Sequence, residues 1–201
     1  FLAFLMCGKL TFIWFSKSVV QASRSIVASK GLIGKIDLPK SLFPLASVQE
    51  GMYRQLAVFA LLLSYLALQG YAPSATWLWL LPVLLVQYLL IVLASLVGAY
   101  LVCLVFDFTL VIGLAMTFLL FTSGIFWDVR ALPDPQMAQW VLNLNPLAFL
   151  IDAYRQVLMY GQVPDLAHLT VLAVVIGALS LAVLAGYRRS SQFLALRVIT
   201  S

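Results

Sequence analysis

The sequence predicts an all-α membrane protein, a polytopic helical bundle with five spans visible and two short re-entrant helices before the last of them. Three observations predict it. Of the 201 residues 64% are hydrophobic and 9% charged, where a soluble domain is about half apolar and about a quarter charged, so little of this surface is built to meet water. Several apolar stretches reach the ~20 residues that a helix needs to cross the hydrocarbon core. Two pairs, Asp134-Pro135 and Asn145-Pro146, open helices too short to cross. Mean hydropathy is +1.06, and residues 1–201 read as one transmembrane domain with no soluble domain attached.

The first span is placed at about residues 8–28. Phe1 to Phe15 is apolar apart from Lys9 and Thr11, and Ser16 to Ser29 is amphipathic. On a helix Trp14, Lys17, Gln21, Arg24 and Ala28 share one face, while Phe15, Val19, Ala22 and Ile26 share another. A Lys and an Arg are costly on a membrane helix unless they face a bundle interior, water or the headgroups, so this is a crossing helix with a wet face. The chain opens at Phe1 inside an apolar stretch, with no basic leader region, so an N-terminal segment is expected to be missing ahead of it.

Residues 29–50 form the longest polar linker. It holds Gly31, Gly34, Pro39 and Pro44 with Lys30, Lys35 and Lys40, and its apolar Leu32–Ile33 and Ile36–Leu38 pairs predict a short helix at the interface. A span at 52–69 is bounded by Gly51 and Gly70. The stretch 77–106 is overlong and carries Pro82 near its start, which predicts a tilt or kink. Residues 108–127 are nearly all apolar or small.

Between 126 and 165 the chain predicts two capped short helices, Pro135 to about Asn143 and Pro146 to Tyr160, with Gly161 closing the second. Neither can cross, and such helices are tolerated at membrane depth when buried in protein or lining a cavity. The last span, 166–187, starts from Asp165 as N-cap.

Alternating sides gathers Arg24, Lys30, Lys35, Lys40, Arg54, Arg188, Arg189 and Arg197 on one side, against Lys9, Arg130 and Arg155 on the other. By the positive-inside rule the first side is cytoplasmic, so the two short helices are on the outer side of a multi-pass protein. The pI near 9.4 then reports topology and attraction to anionic membrane lipids. No basic run is interleaved with aromatics on a polar background, so nucleic acid is not an expected partner.

Catalytic chemistry is not expected. Gly8-Lys9 and Gly34-Lys35 are each followed by an aliphatic residue and lack the earlier glycine of a phosphate loop, so this chain does not hold ATP in the usual way. The seven acids are scattered, and His168 stands alone near the outer end of the last span. Cys7 and Cys103 lack metal-ligand spacing and read as buried thiols. No metal site and no cofactor are expected in this chain. Asp152 and Arg155 lie three apart on the second short helix and can pair, either as a local ion pair or as part of a gate. The Trp14–Lys17–Gln21–Arg24 face fits a path for a hydroxyl-rich, anion-linked cargo. It also fits a face packed on an absent helix or snorkelling to the headgroups.

Three local patterns carry a family resemblance: Gly8 to Ser47, "SGIFWDVRALPD" (Ser123 to Asp134), and "NPLAFLIDAYRQVLMYGQVPD" (Asn145 to Asp165). They resemble the membrane subunits of ATP-binding-cassette exporters that move O-antigen, capsule or teichoic-acid polymers. The first is similar to the family's second helix and its cytoplasmic coupling segment, the second to the turn between its periplasmic gate helices, and the third to the stretch before its last span. Two departures stand out. Where members often carry an Arg-Asp pair, this chain has Phe106-Asp107, and where they often have Pro after the serine, it has Gly124.

The resemblance implies a multi-pass protein of a bacterial inner membrane with the short helices on its periplasmic side, a homodimer enclosing a channel, a lipid-linked polysaccharide as cargo, and two nucleotide-binding ATPase subunits that hold the ATP and magnesium. ATP energy would then arrive by contact, with Leu32, Ile33 and Ile36 as the apolar anchor and Lys30 and Lys35 at its rim. Trp14, Lys17, Gln21 and Arg24 would line the substrate path, and Phe126, Trp127, Asp152, Tyr154 and Arg155 the periplasmic gate. Phe126, Trp127 and Tyr154 would close its outer mouth. An exporter of drugs or lipids on the same scaffold, or an ATP-independent channel or structural membrane protein, are the alternatives.

Overall fold

Eight α-helices and two 3₁₀ turns account for the regular structure of the described residues. The computed structural model describes residues 1–33, 38–71 and 74–200, with side chains for all of these except Ile33 and 191–200. The helices are α1 (Leu2–Ala28), α2 (Lys30–Ile33), α3 (Leu42–Leu68), α4 (Leu80–Leu104), α5 (Phe108–Thr122), α6 (Pro135–Leu144), α7 (Pro146–Leu158) and α8 (Leu166–Thr200). No strand occurs among the described residues.

Among the described residues four helices are long and apolar enough to cross a membrane: Leu2–Leu32, Leu42–Leu68, Ala75–Leu104 and Leu166–Ser190. The expected fifth span, 108–127, is not among these four. Sequence apolarity runs on to Trp127, but α5 is a 15-residue helix that stops at Thr122, short of the ~20 residues a perpendicular crossing takes. A turn through Ser123 and Gly124, the latter at φ 70°, ends it.

Other boundaries moved for local reasons. Helix α3 begins at Leu42 rather than Met52, so the polar linker is shorter than 29–50. Pro44 falls in its first turn, where the missing N–H has no intrahelical partner to lose. Pro82 likewise falls in the first turn of α4, just after a 3₁₀ segment at Ala75–Trp79, so it marks the start of the helix instead of kinking its middle. Helix α8 runs on past residue 187 to Thr200.

Pairings fix how the helices run. Gln87 of α4 donates to the Thr11 carbonyl of α1 at 2.9 Å, and Gly98 of α4 packs against Ser23 of α1, so these two helices are parallel. Gln21 near the end of α1 meets Glu50 near the start of α3 at 3.0 Å, which makes that pair antiparallel. The starts of α1 and α4 and the residues just after α5 therefore share one end of the bundle with α7. Two buried hydroxyls in the apolar helices bond back to their own helix, Thr11 to Cys7 (2.7 Å) and Ser180 to Ile176 (2.8 Å), which offsets the cost of burying them.

The register has a direct consequence for the thiols. Thr11 is level with Gln87, so Cys7 sits near the start of α4 while Cys103 sits at its end, roughly 30 Å away at 1.5 Å per residue. A disulfide needs Cα atoms within about 7 Å. Oxidation of the intact protein is expected to leave both thiols free, and a Cys7–Cys103 crosslink within one chain, seen by peptide mapping, contradicts this register.

Candidate functional site

The polar face of α1 opens on a cavity of about 1180 Å³ between α1 and α3. Trp14, Lys17, Gln21 and Arg24 all line it, so the structure brings the four expected path residues together. Helical spacing alone achieves this, since one residue in every turn of α1 points the same way. Lys17, Gln21 and Arg24 are exposed. Trp14 is buried and stands edge-on to Phe59 of α3, centroids 6.1 Å apart. The α3 wall supplies Glu50, Arg54 and Gln55, which the sequence did not single out. Glu50 accepts from Gln21 and pairs with Arg54 one turn on. Two N–H groups of this lining, Trp14 Nε1 and Gln55 Nε2, are buried without an acceptor among the described residues.

At the opposite end of α1 a second polar cluster surrounds α7. Both short helices begin as expected: the Asp134 carboxylate accepts from the Gln136 N–H at 2.9 Å, and the Asn145 amide oxygen from the N–H groups of Leu147 and Ala148. Gly161 takes φ 60° just after the second helix. Every residue of α7 from Leu147 to Leu158 is buried, whereas α6 buries none. Helix α7 is thus held inside protein, the setting in which a short non-crossing helix is tolerated.

The expected Asp152–Arg155 pair does not form. Asp152 instead takes a forked pair from Arg130, with nitrogen–oxygen distances of 2.9 and 3.0 Å, and a bond from Gln156 at 2.6 Å. These bonds raise the Arg130 pKa above its ordinary value against the opposing cost of burial. Arg155 turns the other way and donates to the carbonyls of Gly124 (2.7 Å) and Ile125 (2.9 Å), its guanidinium 3.4 Å over the Phe4 ring. Its space exists because residue 8 is glycine: a Cβ there would stand 2.7 Å from the Arg155 guanidinium. Planar guanidinium groups favour two-pronged acceptors, and a partner one turn along the same helix offers a poorer fit.

Gly124 sets the turn that follows α5. Its φ of 70° is closed to proline, whose ring fixes φ near −65°, so this turn is built for glycine. Tyr154 is a further correction. It is fully buried, stacks on Phe59 at 5.8 Å and donates to Gln87 at 2.5 Å, so it belongs to the core and cannot close a mouth. Phe126 is exposed and stacks on Phe121, and the Trp127 indole donates to the Phe121 carbonyl at 3.0 Å. His168 stacks on Phe149 with centroids 4.1 Å apart.

Of the coupling residues, Lys30 is exposed and Leu32 is 44% exposed on the four-residue α2. Ile33 ends that helix, and Lys35 and Ile36 lie outside the described residues. Sequence reasoning missed Gln87, Arg130 and Gln156. The cue for Gln87 was present, a lone amide in an otherwise apolar span, because such a group must find partners across the bundle.

Helices able to cross a membrane, with a polar cavity let into them and a short helix buried at one end, define a multi-pass membrane protein. Residues 1–159 match the family described as "ABC-2 type transporter", and the chain belongs to that family. It is similar to two Klebsiella pneumoniae proteins named O-antigen export system permease protein RfbA, each 24% identical over 159 residues, covering 79% of this chain and 61% of the relative. A Myxococcus xanthus protein of the same name is 26% identical over 174 residues, covering 86% of this chain and 66% of its own length. The chain thus spans a little under two thirds of the length of these relatives.

Proposed function

We propose that this chain is the transmembrane subunit of an ATP-driven exporter that moves a lipid-linked, O-antigen-like polysaccharide across the inner membrane. Two copies would form the channel, and two separate nucleotide-binding ATPase subunits would drive it. The observation that carries the proposal is the polar face of α1, whose four path residues all line one cavity. Family membership and the relatives' names as O-antigen export permeases support this class of cargo. Five spans remain our reading of the topology, with α5 crossing at a place where neighbouring residues 123–127 extend its apolar length. The experiment is deletion of the gene and scoring of surface polymer. Polymer is expected to accumulate inside the cell and to return to the surface on complementation, and normal surface polymer in the deletion strain overturns the proposal.

Topology gives a separate prediction. Phe126 to Tyr160 should lie in the outer half of the membrane, with Phe126 and Trp127 at the mouth. A cysteine placed at the exposed Gln136 is expected to react with a membrane-impermeant maleimide applied from the periplasm. Labelling only after the cytoplasmic face is opened reverses the orientation.

A further inference from the structure

Residues 128–144 are held to the α7 end of the bundle by little more than one ion pair. Both feet of the segment are fixed. Before it, Arg155 holds the carbonyls of Gly124 and Ile125, and the Trp127 indole donates to the Phe121 carbonyl. After it, Asn145 caps α7, and its amide donates to the Ser123 hydroxyl at 3.1 Å, which ties the two feet together. Between the feet α6 buries no residue. Val129 is buried and Leu142 packs in part against the core. Among the described residues Arg130 makes the only hydrogen bonds that leave the segment, apart from the backbone bond from Asn145 to Val141 that closes α6.

Each half of that ion pair has somewhere else to go. The Asp152 side chain is 6% exposed, but that of Arg130 is 50% exposed, so the cation already meets water. Breaking a buried pair is costly because it strands a charge, and here neither charge is stranded. Asp152 keeps the Gln156 amide, at 2.6 Å, when Arg130 leaves. Asp128 stands two residues before Arg130, accepts from its backbone N–H at 2.9 Å and acts on its guanidinium through charge. It offers the cation a second seat within the segment itself. A pair that only braced the fold has no use for these fallbacks, whereas a reversible contact needs two arrangements of similar free energy.

We propose that residues 128–144 form a flap hinged at Trp127–Asp128 and at the bend before Asn145, with Arg130 as its latch, closed on Asp152 of α7 and open on Asp128. Opening lifts Val129 from its seat and uncovers α7 around Asp152. Arg155 takes no part in the exchange: it fixes the residues on the near side of the hinge, so the flap moves while the end of α5 stays. The motion belongs to this chain alone and stands apart from the export reading, on which the flap lies at the outer mouth.

The test uses the full-length gene product in mild detergent with Val129→Cys as reporter, since residue 129 is 2% exposed while the flap is closed. Maleimide modification is read by peptide mapping, which separates it from the buried Cys7 and Cys103, and its rate follows the open population. Arg130→Gln is expected to raise that rate at least about fivefold, with a melting midpoint within about 3 °C of the reporter protein. Arg130→Lys, which keeps the charge and loses the fork, should fall between the two. Asp128→Asn is the discriminating variant. It keeps an acceptor for the Arg130 N–H but removes the charged second seat, so it is expected to slow labelling about twofold. Labelling no faster in Arg130→Gln overturns the latch. Labelling unchanged or faster in Asp128→Asn overturns the two-seat exchange. A larger fall in the melting midpoint of Arg130→Gln makes the pair a brace of the whole fold and overturns the flap. Neither cargo nor ATPase takes part, so the outcome is independent of the export proposal.

Discussion

Replacing Arg155 with leucine is expected to lower the melting midpoint of the purified protein by roughly 5–10 °C. Arg155 is 1% exposed, yet it is the only link we find between α7 and the carbonyls of Gly124 and Ile125. Leucine fills part of the volume but leaves both carbonyls buried and unpaired, at about 1–3 kcal/mol each. It also removes the cation lying over Phe4. Arg155→Lys keeps the charge and loses the fork, so it should fall between wild type and leucine. Cys7 and Cys103 are both buried and free, so a thiol-reactive dye reports unfolding directly. A leucine variant that melts within a degree of wild type denies Arg155 its clamping role. Gly8→Val approaches the same contact from the other side, by pushing the guanidinium out of its place.

What could be read from the sequence and what could not divide along a physical line. The caps at Asp134 and Asn145 were legible, because a capping side chain and a following proline act within three residues. The wet face of α1 was legible, because its period of 3.6 is written into one continuous stretch. Its opposite wall was not: Arg54 and Gln55 become part of the cavity only once α3 is laid antiparallel to α1. Asp152 and Arg155 were misassigned for the same reason. Their spacing allows a pair, but the cation that meets Asp152 lies 22 residues away and the carbonyls that meet Arg155 lie 30 and 31 away. The end of α5 was hidden because membrane composition stays apolar through the turn, and only Gly124's backbone sets the stop.

Changing Leu32 and Ile33 together to aspartate is expected to abolish polymer export and release the ATPase, with the membrane domain still folded. On the export proposal ATP is hydrolysed by a separate chain, so its energy must enter by contact on the cytoplasmic side. The turn between α4 and α5 is too tight for that, which leaves the segment between α1 and α3. Its described part presents Leu32 at 44% exposure beside exposed Lys30, an apolar tip with a basic rim. Two anchors in such a contact are worth about 2 kcal/mol each, so their loss weakens binding roughly a thousandfold. Helix α2 lies beside α8, so the aspartates could disturb that packing. The melting midpoint of the double variant therefore has to match wild type, and Leu32→Ser serves as a milder second variant. Lys30→Ala should slow association more than it weakens the complex, with an effect that fades as salt rises. A folded double variant that still co-purifies with its ATPase and exports normally moves the coupling role out of this segment.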